Sequence, residues 1–232
     1  MIIGILTIPS DKTNTIKFKN SDSYITAYYV DKLKKYAEVQ FIPYNTDNCE
    51  YYFKKINGLY FPGGRRNNNK KFLDTYTKLF NMAIKENDKG NYFPVFASCL
   101  GFQYLIKMVT DKPVLQKYDN SSDNKKRLSF HNTYGLKLDN YKHIKHFYNV
   151  IDTSVDKNSV EFVSGIKAHK YPFYGYVYTL KKDDDLFLLF INECKKNNRK
   201  NKKIKEIDTI ILDNYSNAQS KFAYAYGFNL IL

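Results

Sequence analysis

Cys99 is the residue of this chain best placed for covalent chemistry. It stands between an apolar run, Tyr92-Phe93-Pro94-Val95-Phe96-Ala97-Ser98, and the apolar helix start Leu100-Gly101-Phe102-Gln103. A strand turning sharply into a helix at this point lifts a nucleophile clear of the sheet and faces it with the helix N-terminus. The dipole and open N–H groups there favour a thiolate and any oxyanion formed beside it. The same pattern also fits a buried cysteine that closes a core strand. A cysteine amidase needs a thiolate, a base to generate it, an acid for the leaving amine and donors for the oxyanion. The sequence offers four histidines, His131, His143, His146 and His169. His143 and His146 are three apart on a predicted helix, a spacing that could grip a metal, but no further ligand cluster accompanies them and a solvated face accounts for both. His169 falls in a turn and is expected to be exposed.

The elements that would position Cys99 alternate between strand and helix. Ile2–Ile8 is nearly all apolar, as in a parallel strand covered on both faces. Ser21–Ala37 carries Ile25, Tyr29, Leu33 and Tyr36 at helical spacing, with Ser21 or Asp22 as N-cap. Val39–Pro43 reads as a strand, Asp47–Ile56 as a helix and Gly58–Phe61 as a strand. Asn69–Asn87 is amphipathic, with Phe72, Tyr76, Leu79, Phe80, Ala83 and Ile84 on one stripe, and Tyr92–Ser98 is the fourth strand. This order predicts a doubly wound, mostly parallel sheet with helices on both faces, and such sheets build sites at the carboxyl ends of their strands. Phe61-Pro62-Gly63-Gly64 and Ala97-Ser98-Cys99 both lie at such ends, so the two can meet. Gly63 and Gly64 also suit a tight turn in their own right. In the second half, Arg127–His131, Asn149–Val155, Val160–Lys167 and Phe173–Leu180 read as strands with few helices between them, an antiparallel extension. Asp184–Asn197 is a final helix with Leu186, Leu189, Phe190 and Cys194 on one side.

Several of these segments together resemble the gamma-glutamyl hydrolases, within the class I glutamine amidotransferase-like superfamily. Cys99-Leu100-Gly101-Phe102 is similar to that family's nucleophile elbow, and Ile56-Asn57-Gly58-Leu59-Tyr60-Phe61-Pro62-Gly63-Gly64 to its glycine-rich strand end. Leu128-Ser129-Phe130-His131, Phe147-Tyr148-Asn149-Val150, Glu161-Phe162-Val163-Ser164 and Tyr171-Pro172-Phe173-Tyr174-Gly175 follow in the family's order. The resemblance implies that Cys99 is the nucleophile and that N–H groups of Leu100, Gly63 and Gly64 form the oxyanion hole. It places His131 near the substrate, which would be a gamma-glutamyl or glutamine-like small molecule, and implies no cofactor or metal. Ala97 replaces the glycine usual before the elbow.

The resemblance breaks after Gly175. There the family continues into a Trp-His-Pro-Glu sequence holding the catalytic histidine and its acidic partner, whereas this chain reads Tyr176-Val177-Tyr178-Thr179-Leu180-Lys181. Aligned from the glycine, Thr179 replaces the histidine and Lys181 the glutamate. Threonine cannot supply the proton a departing amine requires, and general acid catalysis typically contributes ~10²- to 10⁴-fold. The connection from Cys99 to His131 is also shorter than the segment that usually walls the family's cleft. The chain therefore reads as a catalytically impaired pseudoenzyme, with an active cysteine hydrolase or amidotransferase-type amidase using a rearranged dyad, His131 its candidate, as the alternative.

Composition narrows the remaining classes. At 232 residues, 43% hydrophobic and 17% aromatic, one domain over 1–232 with a substantial core is expected. A formal charge of +14 favours encounter with anionic partners without naming one. No zinc finger, RNP-like or helix-turn-helix signature supports nucleic-acid recognition. Lys195–Lys205 holds seven basic residues among asparagines, which suits a solvated loop or helix end and permits polyanion contact. Three widely spaced cysteines, Cys49, Cys99 and Cys194, form neither a disulfide framework nor a zinc pattern. Ile2–Ile8 lacks the basic flank and cleavage site of a signal peptide and no apolar run reaches the ~20 residues of a membrane span, so an intracellular location is expected. The residues do not reveal an oligomeric state.

Overall fold

A computed structural model describes residues 1–10, 23–64, 68–118, 134–178 and 184–197. The parallel half is built from β1 (Ile2–Leu6), β4 (Glu38–Ile42), β5 (Gly58–Phe61) and β6 (Val95–Ser98), interleaved with α1 (Ala27–Lys34), α2 (Cys49–Phe53), α3 (Lys70–Asp88) and α4 (Leu100–Lys107). A small hairpin of β2 (Ile8–Pro9) and β3 (Ser23–Tyr24) stands apart as its own two-stranded sheet. The second half supplies β7 (Leu115–Lys117), β8 (Tyr134–Lys137), a 3₁₀ turn at Leu138–His143, β9 (Tyr148–Val155), β10 (Glu161–Ala168), β11 (Phe173–Tyr176) and α5 (Asp184–Lys195).

The main sheet runs β4-β1-β5-β6-β11-β10-β8-β7, with β9 on the far side of β10. Every pairing from β4 to β11 is parallel, and every pairing that involves β10 or β8 is antiparallel. The expected α/β architecture with an antiparallel extension is therefore present. β11 enters between the halves, pairing with β6 from Phe173↔Val95 to Tyr176↔Ser98.

Strand alternation decides which helix covers which face. Tyr60 and Phe96 turn to one side, where Tyr60 meets Tyr29 of α1 at 5.4 Å between ring centres and Phe96 meets Phe190 of α5 at 5.3 Å. Phe61 turns to the other, stacked at 3.7 Å on Tyr76 of α3, which in turn meets Tyr104 of α4 at 5.4 Å. Aromatic pairs of this kind add about 0.5–1.5 kcal/mol each beyond their area. α3 shows why its sequence was readable: Phe72, Tyr76, Leu79, Phe80 and Ala83 are all buried, and Asn69 caps the helix by accepting from the Phe72 N–H at 3.2 Å.

Three expectations need correction. The first strand ends at Leu6, and Ile8 belongs to β2 rather than to a single strand Ile2–Ile8. α1 begins at Ala27 rather than near Ser21, because Ser23–Tyr24 is drawn into pairing with β2; the proposed caps Ser21 and Asp22 lie outside the described residues, and Tyr36 is exposed beyond the helix end. His143 and His146 do not share a helix: the 3₁₀ turn ends at His143, so their three-residue spacing does not set them on one face. The strand expected at Arg127–His131 lies outside the described residues.

Candidate active site

Cys99 follows the last residue of β6 and precedes the first of α4, with φ 55° and ψ −108°. A non-glycine residue held there is strained by about 1–3 kcal/mol, which persists only where its surroundings over-determine it. Three contacts do so. The Cys99 N–H donates to the Tyr176 carbonyl at 2.8 Å, and its own carbonyl accepts the first helical bond from the Gln103 N–H at 3.3 Å. Gly101 then lets the helix close on the strand: a methyl group there would lie 2.2 Å from the Phe61 carbonyl oxygen. The Tyr76 hydroxyl fastens this approach by donating to the Gly101 carbonyl at 2.9 Å.

The strand end after β5 meets the elbow as the sequence suggested. A methyl group on Gly63 would stand 2.9 Å from Cys99 Cβ, 3.4 Å from its Sγ and 2.7 Å from the Tyr29 hydroxyl. Gly63 is thus glycine because the Tyr29 hydroxyl and the Cys99 side chain occupy the space a side chain would take. Gly64 packs the other way, against Ile8 and the Tyr24 hydroxyl of the β2–β3 hairpin. Leu100 holds the first position of α4, where a helix provides no internal acceptor for the N–H.

Phenols crowd this end of the sheet, a feature that sequence reasoning missed. Tyr60 and Ser98 share a 2.7 Å hydrogen bond directly beneath the elbow. Burial lifts the Tyr60 phenol well above its ordinary pKa; the Tyr29 phenol and Cys99 add to the shift and the Ser98 bond opposes it. Tyr176 at the end of β11 and Tyr178 just past it are buried with ring centres 5.5 Å apart. Tyr118 follows β7 and stacks on Phe162 of β10 at 4.4 Å. Its hydroxyl is buried without a hydrogen-bond partner, at a desolvation cost of about 1–3 kcal/mol. An abundance of tyrosine, 22 residues, was the only signal in the sequence.

The other two cysteines are unlike Cys99. All three are free and buried, but Cys49 and Cys194 lie in ordinary helices rather than at a positive-φ turn, and burial pushes these two thiols upward, most strongly Cys194. Cys194 is packed beneath Gly58, where an added methyl would approach its sulfur to 2.3 Å.

The described histidines stand away from the elbow. His143 and His146 precede β9, and His169 follows β10 with Nε2 2.8 Å from the Lys145 carbonyl. Tyr148 at the start of β9 pairs with Ala168 at the end of β10, beside the amino end of β11. Cys99 lies past the carboxyl end of β6, so these three imidazoles are at the opposite end of the sheet. His131, Thr179 and Lys181 lie outside the described residues. Among the described residues no group of three or more His, Cys, Asp or Glu side chains could hold a metal ion.

The sequence model of peptidase C26 matches residues 1–132, from β1 through the elbow and beyond. The chain belongs to the peptidase C26 family. Gamma-glutamyl hydrolase of Homo sapiens is 28% identical over 273 residues, covering 93% of this chain and 84% of the human protein. Gamma-glutamyl hydrolase 1 of Arabidopsis thaliana is 28% identical over 224 residues, covering 78% of this chain. The chain spans only 61% and 63% of the length of two Arabidopsis relatives. In fold, this C26 member is similar to the glutaminase domain of Trypanosoma brucei CTPS, solved with bound acivicin: TM-score 0.59, 10% identity, covering 88% of this chain and 95% of that one. That likeness makes the fold a class I glutamine amidotransferase-like one. Among the described residues no helix is long and apolar enough to cross a membrane.

Proposed function

We propose that this C26 member is a gamma-glutamyl hydrolase-like single domain, 1–232, that keeps the cysteine elbow as a binding site for a gamma-glutamyl or glutamine-like small molecule but lacks efficient hydrolysis. The observation that carries this reading is the contrast around Cys99. The elbow keeps its left-handed backbone and its Gly63 neighbour, while the described imidazoles stand at the far end of the sheet. The alignment from Gly175 adds Thr179 and Lys181 at the histidine and glutamate positions. In this reading Cys99 is the vestigial nucleophile, Leu100, Gly63 and Gly64 are the oxyanion donors, and His131 contacts the ligand. Buried phenols around the thiol, held protonated, donate hydrogen bonds without serving as bases at neutral pH. Release of an amine from a thioester-forming step needs a proton that none of them supplies readily.

One observation favours a second reading. A strained elbow is retained where a relaxed turn would cost less, as it would be in an active hydrolase or amidase with a rearranged Cys99–His131 dyad. Incubation with a poly-gamma-glutamyl substrate separates the two. Turnover absent, or orders of magnitude below an active family member assayed alongside, is the expected result. Robust turnover abolished by Cys99→Ala overturns the proposal, and loss of that turnover in His131→Ala would identify the base.

A further inference from the structure

Three buried side-chain oxygens among the described residues have no hydrogen-bond partner: Thr26 Oγ1, Ser154 Oγ and Tyr118 Oη. Tyr118 differs from the other two in its surroundings. Its ring is fixed between Phe162, stacked at 4.4 Å and 19°, and Gly135, where an added methyl would lie 2.7 Å from the ring edge. β8, which carries Gly135, is tied to the elbow helix through the Gln103 side chain, which donates to the Tyr134 carbonyl at 2.8 Å. Strand registers fix the height of the ring on the sheet. Gly165 pairs with Tyr176, and Tyr176 with Ser98. Phe162 lies three residues further along antiparallel β10, past the carboxyl ends of β6 and β11 and so on the side where Cys99 stands. Tyr118 is 5% exposed, so bulk water is not the intended partner of its hydroxyl.

The chemistry of that hydroxyl is one-sided. Burial holds the phenol far above its ordinary pKa, and negative charge on Cys99 pushes it further in the same direction. The group therefore remains an O–H when the neighbouring thiol ionises. It does not hydrogen-bond the sulfur, so the acceptor that would complete it is an atom placed between them. We propose that Tyr118 is a ligand-contact residue whose hydroxyl donates to a carbonyl or carboxylate oxygen of a small amide or acid seated against Cys99. The inference rests on the reading of Cys99 as a retained small-molecule site.

Its test compares two thiol reagents of similar size on the full chain. Iodoacetamide carries a carbonyl oxygen, and 1-iodopropane does not. Alkylation of Cys99 is followed by mass spectrometry of its peptide, in wild type and in Tyr118→Phe, together with Tm. In the variant, iodoacetamide should react about five- to tenfold more slowly, the loss of one neutral hydrogen bond. The 1-iodopropane rate should stay within about twofold. Tm should hold or rise, since a hydroxyl without a partner contributes nothing to the empty fold. An equal fall with both reagents, no fall with either, a Tm lowered by more than about 5 °C, or a wild-type Cys99 inert to both reagents overturns the proposal. Hydrolysis of a poly-gamma-glutamyl substrate by the wild-type chain would overturn the impaired-enzyme reading while leaving this comparison standing.

Discussion

The two ends of the central strands β5 and β6 are built on opposite terms. At the amino end, polar groups are paired in closed sets. Asn57 Oδ1 accepts from the Ile2 N–H at 2.8 Å. Asn87 bridges helix and strand, donating to the Ala83 carbonyl at 2.8 Å and the Phe93 carbonyl at 2.7 Å while accepting from the Phe93 N–H at 3.1 Å. Tyr92 donates to Glu193, whose other oxygen takes the Lys196 ammonium at 2.7 Å. At the carboxyl end stand a cysteine with a positive φ, a glycine pressed against its sulfur and a phenol with no partner. The difference teaches where the molecule keeps its stability and where it gives some up: strain and unmet hydrogen bonds gather at the end where we propose that a ligand sits.

The largest test of this contrast is Asn87→Ala. It removes three hydrogen bonds, two of them to the backbone of the fully buried Phe93, which should cost about 3 kcal/mol and lower Tm by roughly 6–12 °C. Alkylation of Cys99 should change little below the transition. A variant that melts like wild type would show that the amino end is not the stabilising one. Next comes Gly63→Ala, which should lower stability by about 1–3 kcal/mol through overpacking yet slow Cys99 alkylation at least about tenfold by displacing the thiol. Unchanged reactivity would mean that the glycine serves the turn alone.

The smallest effect is expected for Lys170→Ala. Lys170 Nζ lies 2.5 Å from Asp88 Oδ1, and Tyr171 donates to the same oxygen at 3.1 Å. The Lys170 hydrogen bond is the main cause that holds Asp88 below its ordinary 3.8. A depressed carboxylate pKa contributes stability that is present above the unfolded value and lost as pH falls through the folded one. The Tm difference between variant and wild type should therefore be at most about 2 °C at neutral pH, because both groups are in water. It should vanish as pH drops below Asp88's depressed pKa in acid. A difference that persists in acid would assign the effect to packing on Tyr171 instead.

Much of the parallel half was legible in the sequence because each element is long or apolar enough to declare its period. The stripe from Phe72 to Ala83 can only be one helix face, and Gly58–Phe61 is bounded by its own turn residues. The elbow was legible too, since strand, cysteine and helix follow without a gap. α1 was misjudged because Tyr24 and Ile25 continue its apolar spacing backwards, although pairing with Ile8 takes Tyr24 into a strand. β7 and β8 were missed altogether: Leu115-Gln116-Lys117 and Tyr134-Gly135-Leu136-Lys137 are too short to show alternation, and they are strands through their partners, β7 through β8 and β8 through β7 and β10. The seat of Tyr118 follows from that pairing and from the register of β10, so no local pattern could reveal it. Nor could local pattern show that Tyr29, Tyr60 and Ser98 converge, since they come from three separate elements.

The position of β11 between β6 and β10 has a consequence for how the molecule is made. Residues 1–132 hold the whole segment matched to the family and every parallel strand but one, yet β6 has no partner on its second edge until Phe173–Tyr176 arrives. The Cys99 N–H likewise waits for the Tyr176 carbonyl. During synthesis, at about 5–20 residues per second, the elbow spends several seconds as an open strand edge after its own residues have been made. A ribosome-stalled chain ending near residue 160, with Cys99 clear of the exit tunnel and Phe173–Tyr176 not yet made, should bind strand-capping chaperones and be cut readily near Cys99, whereas one extended past residue 176 and clear of the exit tunnel should resist both.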